Sequence, residues 1–302
     1  LVARKSRNWG SPFRRLSSPL AGVSSPKREQ TLPVSNSVSP RAMLVARDLY
    51  KLFHVRTPDE RVAINGMSLE LRQGDFAVVV GGNGAGKSTF LNMLAGEVLP
   101  DGGSIYIDGE EVTRLPTHLR ARLISRVFQD PSVGTAAALT IEENLAVAHR
   151  RGVKRSFGRS LTPALIEEFR ARLAAFGLGL ESRMKAQAGL LSGGQRQALS
   201  LLMAVLRAPK LLLLDEHTAA LDPRTAETVM RVTRQVVAEA GLTTLMVTHN
   251  MHHAIAHGNR LVMMRYGSVV ADLRDEPKRT MTVERLVATF DDETPMLQAV
   301  NE

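Results

Sequence analysis

Residues 75–97 read DFAVVVGGNGAGKSTFLNMLAGE. After Asp75, the five residues FAVVV are apolar and end in three β-branched valines, the pattern of a buried strand. The end of the stretch reads as a helix. Between them, Gly81-x4-Gly86-Lys87-Ser88 has the spacing of a phosphate-binding loop, in the strand–loop–helix context that the motif requires. Glycine lets backbone N–H groups converge on phosphate oxygens without side-chain obstruction. The helix presents its positive N-terminus to the same anion. Gly81, Gly82, Asn83, Gly84, Ala85, Gly86, Lys87, Ser88 and Thr89 are therefore the expected cradle of a nucleotide. Lys87 supplies a point charge for the β- and γ-phosphates and Ser88 a hydroxyl ligand for Mg²⁺, so the implied cofactors are ATP and Mg²⁺.

A second stretch, Leu211–Pro223, reads LLLLDEHTAALDP. Four leucines run straight into two adjacent carboxylates. Beside a phosphate loop, an apolar strand ending in Asp is the expected other half of the metal site. Asp215 is assigned to the metal through its water shell, and Glu216 to the general base that orients and deprotonates an attacking water. The alternative for Glu216 is a solvated acid at a strand end.

Composition narrows the class. The chain has 302 residues, 44% hydrophobic and 23% charged, and no cysteine. Disulfides and thiolate metal sites are thereby excluded. Its net charge of +9 is unevenly spread: residues 1–42 hold eight Lys/Arg and one acid, +7, which leaves +2 for the rest. A basic stripe for nucleic acid is not evident, and no nucleic-acid partner is expected. No run of about 18 apolar residues is present, so any membrane role must come through a partner.

Residues 1–42 are rich in Ser, Pro and Arg, with prolines at 12, 19, 26, 33 and 40. They are read as a disordered basic extension, with order beginning near Met43. Met43 is the expected physiological start. A transit peptide and a basic arm for anionic lipid are the rivals. LVARDLYKLF, RVAINGMSLEL and GSIYIDGEEV read as strands. The middle, about 140–208, reads as mostly helical. In TPALIEEFRARLAAFG, Thr162 can cap, Pro163 suits the first helical position and Gly177 follows the end. Then come LLLLD, a helix over 224–240, the strand TTLMVTH, a helix at 251–257, and RLVMMRYGSVVADL. Alternating strands and helices imply an α/β fold with a largely parallel sheet covered by helices.

GLLSGGQRQALSLLMAVLRAP adds a Ser and two glycines at the start of a long helix, a second anion-binding helix N-terminus at residues 192–195. One phosphate loop suffices for one nucleotide, so this site makes sense if it serves the nucleotide of another subunit. Here the sequence closely resembles the ATP-binding subunits of ABC transporters. Leu191-Ser192-Gly193-Gly194-Gln195 matches the family's signature motif. Phe128-Gln129-Asp130 resembles the Q-loop, Ala220-Leu221-Asp222 the D-loop, and His249 the switch histidine. The resemblance covers about 43–290, with the motifs in family order.

It implies an ABC-type cassette over 43–290, with an N-terminal antiparallel β-subdomain, a helical subdomain at about 131–208, and a tail at 291–302. It also implies a head-to-tail homodimer with two ATP molecules in between, in which Ser192, Gly193, Gly194, Gln195 and Asp222 serve the partner copy's nucleotide. Gln129 would touch Mg²⁺ and sense the membrane partner, His249 would contact the γ-phosphate, and Phe53 would stack on adenine, where ordinary core packing is the alternative. DEHTAALD and the stretch from Val127 to Gly152 resemble a less-characterised branch of bacterial importer ATPases. That branch implies a permease and a solute-binding protein related to amino-acid uptake, with the cassette peripheral on the inner face of the bacterial membrane. Two departures stand out: His217 stands where the family usually has Pro, and Ala219 where the D-loop usually begins with Ser. His217 lacks proline's fixed φ and adds a titratable ring near the base, and it is read as a subfamily marker without chemistry of its own. A soluble ABC ATPase acting on ribosomes or DNA is the rival function. Such proteins carry two cassettes or long coiled coils, and this chain has neither.

Overall fold

The computed structural model describes residues 41–152 and 161–291. The extension expected at 1–42 lies outside them except for Arg41 and Ala42, and so does the tail from residue 292 on. Arg41 pairs with Asp108 at 2.8 Å, and the first strand begins at Ala42.

β1 (Ala42–Phe53) and β2 (Arg61–Arg72) pair antiparallel, and β4 (Gly102–Ile107) and β5 (Glu110–Glu111) extend them into a four-stranded sheet of order β2-β1-β4-β5. Along β2, Met67, Leu69 and Leu71 are buried, while Ser68, Glu70 and Arg72 are exposed. This is the alternation of a sheet with one face in solvent.

The second sheet, of order β10-β9-β3-β8-β7-β6, is built differently. β3 (Phe76–Gly81), β6 (Ile124–Val127), β7 (Leu211–Asp215), β8 (Thr243–Val247) and β9 (Arg260–Arg265) run parallel, and β10 (Ser268–Arg274) returns antiparallel as the hairpin partner of β9. Every residue of β3 and β8 is buried, as are the four leucines of β7. Both faces are covered, which is why these strands read as unbroken apolar runs. Val78, Val80, Leu212, Leu214 and Met246 face one layer, together with α3 (Ile141–His149), α4 (Pro163–Ala174), α5 (Gly193–Val205) and α6 (Pro223–Glu239). Val79, Leu211, Leu213, Leu245 and Val247 face the other, against α1 (Lys87–Ala95) and the four-stranded sheet. Short helices α2 (Thr117–Arg120), α7 (Met251–Ala256), α8 (Asp275–Arg279) and α9 (Val283–Asp291) complete the order.

Helix ends follow local chemistry. Thr162 accepts from the Leu165 N–H with Pro163 at the first position of α4, and Gly177 beyond its end has φ 66°. Phe169, Leu173 and Phe176 are buried and Ile166 packs partly buried beside them. Thr140 with Glu143 and Ser192 with Gln195 form capping boxes on α3 and α5.

One buried cation anchors the helix that follows the phosphate loop. Arg120 is fully buried and donates to the carbonyls of Met93 (2.6 Å), Leu94 (2.8 Å), Leu115 (2.8 Å) and Thr113 (3.0 Å). Met93 and Leu94 lie in the last turn of α1, where a cation suits the helix dipole; the Met93 carbonyl also accepts from the Gly96 N–H at 3.2 Å. Replacing Arg120 with Met should lower unfolding stability by about 1–3 kcal/mol through the hydrogen bonds lost by these buried carbonyls. Urea denaturation at constant m-value measures this. Arg120→Lys should recover only part of the loss, since an ammonium cannot span acceptors on both sides of the planar fork.

Candidate active site

Three neighbouring strands bring the predicted residues together. Val79 of β3 pairs with Val247 of β8, and Val247 pairs with Asp215 of β7, so the three strand ends emerge at one level. In an open parallel sheet, this C-terminal edge is where ligands bind.

The loop after β3 is shaped by close approach. Gly86 has φ 99°, and a Cβ there would stand 2.5 Å from the Ala63 carbonyl oxygen of β2, so only glycine fits. The Gly267 N–H, at the β9–β10 turn, holds the loop by donating to the Ala85 carbonyl at 3.1 Å. Gly82, Asn83, Gly84 and Ser88 are exposed, while Gly81, Ala85 and Lys87 are buried and Thr89 is half-buried. Lys87 Nζ donates to the carbonyls of Gly81 (2.8 Å) and Gly82 (3.1 Å). Burial pushes its pKa down, and the charges of Glu216 and then Asp215 push it back up. Both carboxylates thus act on the lysine across the gap between β3 and β7.

Glu216 sits at φ 44°, a left-handed conformation unusual for a residue with a Cβ, and its N–H donates to the Val247 carbonyl at 3.0 Å. The backbone therefore turns sharply as β7 ends. His249 Nδ1 lies 3.1 Å from Glu216 Oε2. Glu216 and His249 line one hollow of about 240 Å³ together with Thr218, Leu221 and His253. Asp215 is held from its other side: Arg126 Nη2 donates to its Oδ2 at 2.6 Å.

The remaining predicted residues lie further out. Gln129 is exposed just beyond β6, and Phe53 is half-buried at the end of β1 with Lys51 Nζ 5.5 Å from its ring centroid. Ser192, Gly193, Gly194 and Gln195 are not among the residues lining the hollow at Glu216 or the one beside the phosphate loop. Their local roles are visible. Ser192 caps α5, and Asp222 caps α6 by accepting from the Thr225 N–H at 3.1 Å. Gly194 packs so tightly on that helix that a Cβ would stand 2.0 Å from Thr225 Cγ2.

Several neighbours of the site had no signal in the sequence. Arg126 reaches Asp215 through the pairing of β6 with β7, and Asn92 and Glu97 reach Arg126 through the packing of α1. Tyr266, 81% exposed at the β9–β10 turn, lines a hollow with Gly82, Asn83 and Gly84. The Tyr-Gly pair announced a turn, and nothing in the sequence announced that this turn abuts the loop.

His217, expected to carry no chemistry of its own, is buried next to Glu216 in the chain rather than open to solvent. It is 2% exposed, and its Nε2 lies 3.1 Å from Thr233 Oγ1. The Thr233 hydroxyl proton goes to the Val229 carbonyl at 2.8 Å, so the histidine donates to Thr233 from Nε2–H. Burial, with help from His253 and His257, pushes its pKa down to about 3.

Residues 64–219 match the family described as ABC transporter. The chain belongs to the ABC transporter ATP-binding family. It is 40% identical over 249 residues to a tyrosine transport ATP-binding protein of Clostridioides difficile (strain R20291), covering 82% of this chain and 99% of the relative. A phosphonates import ATP-binding protein of Synechococcus is 36% identical, covering 72% of this chain and 81% of the relative. Among solved structures, an ATP-binding cassette described as a dimer in a post-hydrolysis state bound to ADP and Pi superposes with a TM-score of 0.63 at 27% identity, over 77% of this chain and 98% of that one. A cassette in its ADP conformation, at 24% identity and a TM-score of 0.68 over 83% and 99% of the two chains, shares the fold. As a cassette of this family, the protein is an ATP-hydrolysing subunit whose reaction is coupled to transport. Among the described residues, no helix is long and apolar enough to cross a membrane.

The buried His217 sets a pH dependence. Its folded pKa lies below the unfolded value of 6.5, so its contribution to stability is complete above pH 6.5 and is lost as pH falls towards 3. The loss approaches about 1.4 kcal/mol per pH unit for one proton. His217→Gln, which keeps a donor for Thr233, should flatten the stability profile between pH 6.5 and 4 relative to the unaltered chain. Urea unfolding at several pH values gives the slopes.

Proposed function

We propose that this cassette powers an importer of small solutes of the amino-acid class. It would work as a head-to-tail pair with a second copy of itself on membrane-embedded permease subunits, at the inner face of the bacterial membrane, with a solute-binding protein completing the complex. The observation that carries the reading is the Glu216–His249 contact of 3.1 Å beside Asp215, with both carboxylates acting on the buried Lys87. The names of the two relatives above, for tyrosine and phosphonates, support import of a small solute.

Each residue then has a role. The backbone of Gly82, Asn83, Gly84 and Ala85 faces the phosphates, and Lys87 turns from its loop carbonyls to the β- and γ-phosphate oxygens. Glu216 accepts the proton of the attacking water, and His249, hydrogen-bonded to Glu216, holds the γ-phosphate end of the site. Ser88 and Gln129 offer a hydroxyl and an amide oxygen and Asp215 a carboxylate that would act through the ion's water shell, a hard oxygen set that fits Mg²⁺. That ion, when bound, neutralises charge on the β- and γ-oxygens. Phe53 stacks on the base. Ser192 and Gly194 of the second copy approach the γ-phosphate, with Asp222 at the same junction.

Glu216→Gln should lower hydrolysis at least about 100-fold while ATP still binds, because only the base is lost. With ATP, that variant should sediment as a dimer. Near-normal turnover would remove Glu216 from the role, and a monomer under all conditions would count against the pair. Ser192→Arg should leave ATP binding to the monomer unchanged and abolish ATP-driven pairing, since a long side chain blocks the approach of α5 to the neighbour's phosphates. The solute class is tested by titrating the binding protein encoded beside this gene with a panel of amino acids. Binding of none of them would redirect the assignment.

A further inference from the structure

Arg126 is the third residue of β6 and pairs in register with Leu213 of β7, two residues before Asp215. Its side chain is 11% exposed and reaches Asp215 Oδ2 at 2.6 Å through Nη2. Nη1 donates to both carboxylate oxygens of Glu97 at 3.0 Å and to Asn92 Oδ1 at 2.8 Å. The guanidinium lies 4.8 Å from the Phe128 ring centroid, and its buried Nε has no partner. A cation this buried is held by its two carboxylates. The fork ties together the end of α1, the strand that leads to Gln129, and the carboxylate that closes β7.

The charge count around Asp215 gives this fork a consequence. Lys87 and Arg126 stand against Asp215, Glu216 and Glu97. These groups sum to −1, so a dication approaching Asp215 meets only a weak net attraction, with the guanidinium at hydrogen-bond distance as the nearest opposing charge. Nucleotide phosphates would add the missing negative charge. We infer that Arg126 is a positioning residue that shields Asp215 from free divalent cations, so that the carboxylate takes part in metal binding only once a nucleotide is present. This rests on the reading of Asp215 as the metal carboxylate.

The test uses the full chain and Mn²⁺ as the probe, with binding followed by electron paramagnetic resonance and by thermal melting. Without nucleotide, the unaltered protein should neither retain Mn²⁺ below the millimolar range nor melt higher in its presence. Arg126→Met should bind Mn²⁺ without nucleotide at least about tenfold more tightly than the unaltered chain, because one positive charge beside the dication is gone. Arg126→Lys, which keeps the charge, should behave like the unaltered chain. Arg126→Met combined with Asp215→Asn should lose the new affinity, which a general loosening of the fold would not explain. Equal Mn²⁺ affinity in Arg126→Met and the unaltered chain overturns the inference. So does micromolar Mn²⁺ binding to the unaltered, nucleotide-free protein, a result that needs no variant to fold. The underlying reading is checked separately by Mn²⁺ binding in the presence of ATP: if Asp215→Asn leaves that unchanged, the metal role of Asp215 fails. Parity of Arg126→Met with that role intact removes Arg126 alone.

Discussion

The arrangement depends on the side-by-side parallel pairing of β3, β8 and β7. Each is too apolar to stand at a surface, and each is buried on both faces. Burying a leucine side chain is worth roughly 1.5–3 kcal/mol, so the run Leu211–Leu214 alone resists any register that would expose it. The polar residues that follow each strand have no choice but to emerge together at one edge. The phosphate loop, the Asp215–Glu216 pair and His249 meet because three hydrophobic strands end at the same level.

Electrostatics finishes what the sheet begins. Burial pushes the Lys87 pKa down, and the carboxylates across from it, Glu216 and then Asp215, offset that only in part. Asp215 in turn answers to Arg126, and Arg126 to Glu97 at the end of α1. Arg120 caps the same helix from below with no carboxylate at all, using four carbonyls. The helix that carries Lys87 and Ser88 is thus pinned by charge at its end, and the loop before it by Gly267. A site that must accept several negative charges is framed by cations whose positions are set in advance.

The signature segment shows how one residue can answer two demands. Gly194 packs closely within this chain, since a Cβ there would displace the Thr225 methyl group of α6. Ser192 is likewise occupied with capping α5. These internal duties place the N-terminus of α5 against the start of α6, where Asp222 caps. The pairing proposed above would bring a second copy to the surface so formed.

Much of this was legible in the chain itself. The α/β class followed from apolar runs alternating with helical periods, and the start of α4 from Thr162 and Pro163, because local chemistry decides such features. The phosphate loop pattern and the strand ending in Asp215 and Glu216 could be located from residue type and spacing, and the signature segment from the family resemblance. Three things were decided only by the tertiary structure. Arg126 is 89 residues from Asp215, and only the pairing of β6 with β7 makes them partners. His217 reads as a titratable group beside the base, yet α6 covers it and burial holds it neutral. Tyr266 reaches the phosphate loop only because the β9–β10 turn folds against Ala85. The sequence determined which segments carry the phosphate-loop and signature patterns, since those depend on residue type and local spacing. The fold decided which charges balance them, since that depends on distances between segments far apart in the chain.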